Sequence, residues 1–150
     1  MNKNKFLSTS ELERHITCLW SEIAAEATVD GVSAWLDLTF TAGNREGGCC
    51  YSDDGGYHYR YFERGKSSQE ESTCDLIEIA FIALYPSVHL LASTYECKHR
   101  IKGHDFRRLF FEKILHYFAI LGEEYRKQAE AEINKVLEKY PYRDKKDGHP

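Results

Sequence analysis

The stretch Tyr57-His58-Tyr59-Arg60-Tyr61-Phe62-Glu63-Arg64 decides the fold. Side chains alternate across a strand, so Tyr57, Tyr59, Tyr61 and Glu63 share one side, and His58, Arg60, Phe62 and Arg64 the other. Just upstream, Asp53-Asp54-Gly55-Gly56 has the composition of a hairpin turn, with Cys49 to Ser52 as the short strand leading into it. Earlier still, Trp35 to Phe40 alternates, with Leu36, Leu38 and Phe40 opposite Trp35, Asp37 and Thr39. Gly43-Asn44 and Gly47-Gly48 read as turn material between these strands. Consecutive strands with loops too short for a crossover predict a small antiparallel sheet of three to four strands.

Helices are predicted on both sides of this sheet in the chain. Ser10 and Glu13 have capping-box spacing, and Leu12, Ile16, Leu19, Trp20, Ile23 and Ala27 recur at helical spacing, so a helix is expected from about Ser10 to Ala27. Asp30-Gly31 ends it. From Thr73 onward the pattern is helical almost to the end. Asp75 to Leu84 is apolar nearly all round, the mark of a buried helix, and the pattern resumes through Val88, Leu91, Ala92 and Tyr95. Pro86 lacks an amide donor and is expected to kink this helix or split it in two. Lys102-Gly103-His104 interrupts the pattern, and Asp105 is placed to cap a helix carrying Phe106, Leu109, Phe110, Ile114, Tyr117 and Phe118. Gly122 closes it. A last helix, about Glu123 to Lys139, sets Tyr125, Ala129, Ile133, Val136, Leu137 and Tyr140 inward, and the tail after Tyr142 is expected to fray. The expected class is α+β: an N-terminal helix, the small sheet, then a bundle of three to four helices.

Composition bounds the possibilities. At 150 residues, with 42% hydrophobic and 29% charged side chains, the chain fits one globular domain spanning residues 1–150. A net charge of -4 demands neither nucleic acid nor a membrane as partner. Ile79 to Tyr95 has no charged residue, but Pro86, Ser87, His89, Ser93 and Thr94 interrupt it, which favours a buried core helix over a spanning one. The cysteines Cys18, Cys49, Cys50, Cys74 and Cys97 are odd in number, and the basic stretch Met1 to Lys5 is followed by no apolar run, so free thiols in the cytoplasm are expected.

Catalytic constellations are weak. Cys97, His99 and His104 form the densest group of metal-type ligands, beside the adjacent Cys49-Cys50, but no CxxC or HExxH spacing occurs, so neither metal nor cofactor is expected. No nucleophile elbow or phosphate-binding loop is present. A small hydrolase or metal enzyme built on His99, His104 and nearby acids is one alternative reading. Charge is distributed unevenly: Glu70, Glu71, Asp75 and Glu78 form an acidic run, while Lys98, Arg100, Lys102, Arg107, Arg108 and Lys113 form a basic one. Helix electrostatics accounts for part of this, and Glu96 with Arg100 has the spacing of an ordinary ion pair. The basic run Lys98 to Lys113 offers a second alternative, a nucleic-acid-binding regulator, but it lacks interleaved aromatics and any recognised motif. The acidic run beside a tyrosine-rich strand suits a basic protein partner, the geometry of a nuclease inhibitor.

From Tyr57 to Asp144 the chain resembles immunity protein family 63 of the bacterial polymorphic-toxin systems. The resemblance rests on an ordered series: the Y-H-Y strand ending in Glu63-Arg64-Gly65; an acid at Glu70 or Glu71; Thr73 and Asp75 opening the long helix; Tyr95-Glu96 with Arg100; a D-x-R-R stretch with a following Phe (Asp105, Arg107, Arg108, Phe110); and Pro141-Tyr142. It implies a cytoplasmic immunity protein that binds and neutralises a cognate toxin domain, as a monomer or a one-to-one complex, without catalysis of its own. Glu63, Arg64, Glu96, Arg100, Arg107 and Arg108 are expected to form an ion-pair network joining sheet and helices. Toxin contacts are expected at Asp53, Asp54, Tyr57, Tyr59, Glu70, Glu71, Asp75 and Glu78.

Overall fold

The computed structural model describes residues 6–41 and 46–145. The expected turn at Gly43-Asn44 and the end of the tail lie outside them. The architecture is α+β: helix α1 (Thr9–Val29), strands β1 (Leu38–Thr39), β2 (Gly47–Asp53), β3 (Gly56–Glu63) and β4 (Lys66–Thr73), then helices α2 (Leu76–Lys98), α3 (Phe106–Leu121) and α4 (Glu123–Lys139). The chain divides into two compact units after Ser21, Ala34 and Ser87. The first holds the start of α1, the sheet and the first half of α2; the second holds the remainder of α1, the rest of α2, α3 and α4.

In the first unit, α1 begins at Thr9, one residue ahead of the expected start, and its cap lies two residues earlier than expected. Ser8 N–H donates to Glu11 Oε1 (2.8 Å) and Glu11 N–H to Ser8 Oγ (3.2 Å), a reciprocal cap with the same spacing as Ser10 and Glu13. The earlier copy is used because the preceding residues are anchored. Leu7 N–H donates to the Tyr57 hydroxyl at 2.9 Å, and the Phe6 ring meets the Tyr57 ring edge-on.

The sheet runs in the order β1-β2-β3-β4. The β2–β3 and β3–β4 pairs are antiparallel hairpins, but β1 pairs with β2 in parallel, so the sheet is mixed rather than wholly antiparallel. The reason lies in Gly47-Gly48, which are buried strand residues rather than a turn. A Cβ on Gly47 would sit 2.4 Å from Asp37 Oδ1, and one on Gly48 would sit 3.0 Å from both the Asp37 carbonyl oxygen and the Tyr59 hydroxyl. Only glycine lets the segment before β1 lie this close alongside β2.

Strand β4 has no hydrophobic alternation and was not legible as a strand. It is held by pairing with β3 and by a two-residue turn, Arg64-Gly65, between Glu63 and Lys66. Both turn residues have positive φ, 54° and 78°, as a type I′ hairpin requires. The E-R-G ending of the tyrosine strand is therefore turn chemistry.

Helix α2 runs unbroken through Pro86, correcting the expected kink or split. Proline removes one hydrogen bond, while Ile79, Leu84, Val88 and Leu91 on either side of it are buried to 2% exposure or less and hold the helix together. By length and composition alone α2 could cross a bilayer, and half of its most apolar window is buried within the protein. In the second unit, Asp105 caps α3 as expected, accepting from Arg107 N–H, and Gly122 separates α3 from α4. Tyr125, Ala129 and Ile133 form the buried stripe of α4. Val136 and Tyr140 are exposed instead of inward-facing: Val136 shares the angular position of that stripe but lies in the last turn of α4, and Tyr140 lies past the helix end.

All five cysteines are free, and burial, with Cys49 beside it, pushes the Cys50 thiol up to about 12, which makes it inert. The Tyr59 hydroxyl is buried without a hydrogen-bond partner among the described residues. Gly48→Ala is expected to destabilise the protein by about 1–3 kcal/mol in urea denaturation through overpacking against Tyr59 and Asp37. Tyr59→Phe, which deletes only the unpartnered oxygen, is expected to be neutral or stabilising by up to about 1 kcal/mol.

Candidate functional site

The pleat of β3 sorts the sheet into two faces. Ser52, Tyr57 and Thr73 form one cross-strand row and Cys50, Tyr59 and Glu71 the next, and these share the inner face. Tyr57 is 3% exposed, and Cys50 and Tyr59 are fully buried. The opposite face carries the rows Tyr51–His58–Ser72 and Cys49–Arg60–Glu70.

On this outer face His58 bridges two elements. Its Nε2 is 2.7 Å from Asp53 Oδ1 at the end of β2, and its Nδ1 is 2.8 Å from Ser72 Oγ on β4. The His58 contact, with the Gly55 amide on the same carboxylate, holds the Asp53 carboxyl below its usual range. The Tyr51 ring lies 5.0 Å from the His58 ring, and the Arg60 guanidinium is 5.8 Å from the Tyr51 centroid. Beside this cluster β4 forms the edge of the sheet, exposed from Lys66 to Ser72. Glu70 and Glu71 are adjacent on it and so project to opposite sides of the strand, both in solvent.

Of the residues expected to contact a toxin, Asp53, Asp54, Glu70 and Glu71 are exposed on this hairpin and edge. Tyr57 and Tyr59 are not available: the large aromatic area of alternate β3 residues is what the first unit buries, and the Tyr57 hydroxyl is already bonded to Leu7. Asp75 and Glu78 are exposed, but they serve the start of α2. Asp75 Oδ1 accepts from Ile77 N–H at 2.9 Å, and the Thr73 hydroxyl accepts from Asp75 N–H and donates to Glu78. Tyr51, His58 and Arg60, not among the expected contacts, lie on the same outer face beside Asp53 and Glu70. The signal was present in the alternation itself, since the polar alternate positions of a half-buried strand belong outside.

The second unit separates the expected ion-pair network into local pairs. Arg100 grips Glu96, which is 2% exposed, through two hydrogen bonds of 2.9 and 2.7 Å. Arg107 pairs with Asp105 at 2.8 Å and Arg108 with Asp144 at 2.8 Å. Glu63 and Arg64 stand exposed at the β3–β4 turn in the first unit and form no ion pair among the described residues. The expected set held four arginines and two glutamates, so charge balance required further carboxylates, and Asp105 and Asp144 supply them.

These pairs build a clamp on the C-terminal segment. Arg107 donates to the carbonyls of Tyr140 (2.8 Å) and Pro141 (3.0 Å), and Arg108 stacks 4.1 Å from the Tyr142 centroid. Asp105 accepts from Arg143 N–H, and its own N–H donates to Asp144. Residues 141–145 are thereby tied down, where a frayed tail was expected after Tyr142. A buried pair not anticipated from sequence, Lys113 with Asp30 at 2.7 Å, is joined by the Tyr117 hydroxyl at 3.0 Å. Burial alone would raise the Asp30 pKa, but the hydrogen bonds from Lys113 and Tyr117 outweigh it and hold the carboxyl below its usual range. A groove of about 560 Å³, with Ile101, Phe111, Ile133 and Leu137 in its lining, opens between α3, α4 and Tyr142.

Five of the six cations from Lys98 to Lys113 are occupied: Lys98 by the Gly31 carbonyl, Lys113 by Asp30, and the three arginines by their carboxylates. That leaves little free positive surface for a polyanion. The metal-type residues do not converge either. His99 is stacked on Tyr95, and among the described residues no group of three or more His, Cys, Asp or Glu could hold a metal ion.

The sequence model of the family Immunity protein 63 matches residues 53–135, more than half of the chain. This chain belongs to the Immunity protein 63 family. Its membership points to toxin neutralisation and to a role other than catalysis. Comparison with curated proteins and with solved structures gave no match. The family match takes in β3, β4, α2, α3 and most of α4 but only Asp53 of β2, and so contains His58, Arg60, the acidic edge and the D-x-R-R half of the clamp, while Tyr51 lies outside it. It stops short of Pro141-Tyr142.

The Asp105 carboxyl is held well below its usual 3.8, first by the Arg107 guanidinium and then by the Arg143 and Arg107 amides, against the cost of burial. A depressed folded pKa contributes stability that is complete above the ordinary value and lost as pH falls through the folded one. Asp105→Asn is accordingly expected to cost about 1–3 kcal/mol at neutral pH, with the gap to the parent protein narrowing as acid titrates the carboxylate, read by denaturation at a series of pH values.

Proposed function

We propose that this immunity-family member neutralises a cognate bacterial toxin domain by binding it through the outer face and acidic edge of the sheet. The observation that carries this reading is β4. It is a sheet edge exposed along its length, bearing Glu70 and Glu71 beside the Tyr51, Asp53, His58 and Arg60 cluster. Aromatic and arginine side chains next to a patch of one charge suit a protein interface. The toxin best matched is a nuclease: an enzyme that holds a polyanion has a basic surface, and covering it blocks the substrate. The action is cytoplasmic, in a one-to-one complex, and needs no cofactor.

The Asp53···His58···Ser72 chain supports a second reading, because an acid, an imidazole and a hydroxyl in sequence is the arrangement of a hydrolase relay. The same two contacts also cross-link the hairpin end to the edge strand, which binding alone would use. Ser72→Ala separates the two readings. It weakens binding but leaves stoichiometric neutralisation at saturating protein if the His58–Ser72 contact is a cross-link, and abolishes neutralisation altogether if the hydroxyl is a nucleophile.

Co-expression with the toxin domain encoded beside it is expected to restore growth and to yield a co-purifying complex. Glu70→Lys with Glu71→Lys is expected to weaken binding by about tenfold or more, mainly through slower association, with reduced salt dependence. Unchanged affinity in a folded double variant would place the interface elsewhere.

A further inference from the structure

We infer that β4 receives the partner as an added strand: an extended, basic segment of the toxin domain pairs with its free edge around Gln69 to Thr73. The inference rests on the neutralisation reading above and specifies how that complex is made.

The two edges of the sheet differ. β1 is two residues long and half-buried, whereas β4 is eight residues long and exposed for all but its last residue. On its inner side β4 is paired with β3 from Tyr57↔Thr73 to Glu63↔Lys66, and on its outer side no strand among the described residues pairs with it. In an antiparallel ladder alternate residues turn their N–H and C=O groups outward, and the residues that carry them here are exposed from Gln69 to Ser72, with the Gln69 carbonyl accepting only from the nearby Ser67 hydroxyl at 3.4 Å. Natural edges are blunted with lysine, proline or bulges. β4 has Lys66 and a register shift at one end, where Tyr61 pairs with Gln69 and Phe62 with Ser67, leaving Ser68 unpaired. Beyond that irregularity, Gln69-Glu70-Glu71-Ser72-Thr73 is regular and contains neither lysine nor proline. The window open to pairing is therefore about five residues, the length of an ordinary strand.

Charge selects the occupant. Glu70 and Glu71 project to opposite sides of the strand, so an incoming strand meets a carboxylate on each face. A second copy of this chain pairing edge to edge near these positions would oppose glutamate to glutamate, which is destabilising. A segment with Lys or Arg flanking its own backbone ladder gains on both faces. The main-chain bonds would supply affinity and the two carboxylates the register. His58 supports the arrangement by bonding Ser72 within this window, holding the edge in place before the partner arrives.

The test is amide hydrogen exchange on the full chain, free and saturated with a catalytically inactivated copy of the toxin domain encoded beside it. Strand addition predicts that alternate amides among residues 69–73 exchange at least about tenfold more slowly in the complex while their inward neighbours change little. It also predicts that proline at an outward-facing position, tried as Gln69→Pro and Glu70→Pro to cover both parities, leaves one variant folded with binding reduced about tenfold or more. A complex that forms with these amides exchanging as in the free protein overturns strand addition and leaves neutralisation standing. No complex at all overturns both, and protection of the same amides in a self-associated free protein overturns the choice of occupant.

Discussion

The fold depends on which side of β3 is buried. A strand has two faces and no intermediate setting, so placing Tyr57 and Tyr59 inside forces His58 and Arg60 outside. Everything at the candidate surface follows from that choice. Tyr51 and Ser72 join His58 in one row, Glu70 faces Arg60 in the next, and Asp53 closes on the imidazole from the hairpin end. On the inner side the same choice brings the Tyr59 hydroxyl against Gly48, where only a residue without a side chain fits. A one-residue slip in β3 would put two tyrosines in water and an arginine in the core.

The second unit shows where the remaining charge goes. Arg100, Arg107 and Arg108 are spent on carboxylates and on the carbonyls of the C-terminal segment, and the buried Lys113 is matched by Asp30 and Tyr117. These are short-range, largely fixed pairs, which hold structure and leave little field at a distance. The acidic residues of β4 form no such ion pairs among the described residues, and that contrast is why the proposed interface is the sheet edge rather than the basic run.

Much of this was legible in the sequence because it depended on local signals. The Asp54-Gly55 hairpin, the Asp105 cap, the Gly122 break and the extent of α4 each follow from residues close together in the chain. What was not legible depended on distant partners. β4 has no apolar alternation, and it is a strand only because β3 and the Arg64-Gly65 turn make it one. Gly47-Gly48 looked like a turn until the approach of Asp37 explained the missing side chains. The partners of Arg108 and Lys113 lie 36 and 83 positions away in the chain, at Asp144 and Asp30, beyond the reach of spacing rules. The tyrosines were misassigned for a different reason: their polar tips suggested recognition, while their area decided burial.

The most direct test of binding as the mechanism is a titration of purified protein into a fixed amount of its active toxin domain, with toxin turnover as the readout. Stoichiometric inhibition predicts a linear loss of activity that reaches completion at one equivalent and returns when the complex is separated under denaturing conditions and the toxin refolded. Complete loss at a small fraction of an equivalent, with the toxin left covalently altered, would show catalysis by this chain and contradict the account.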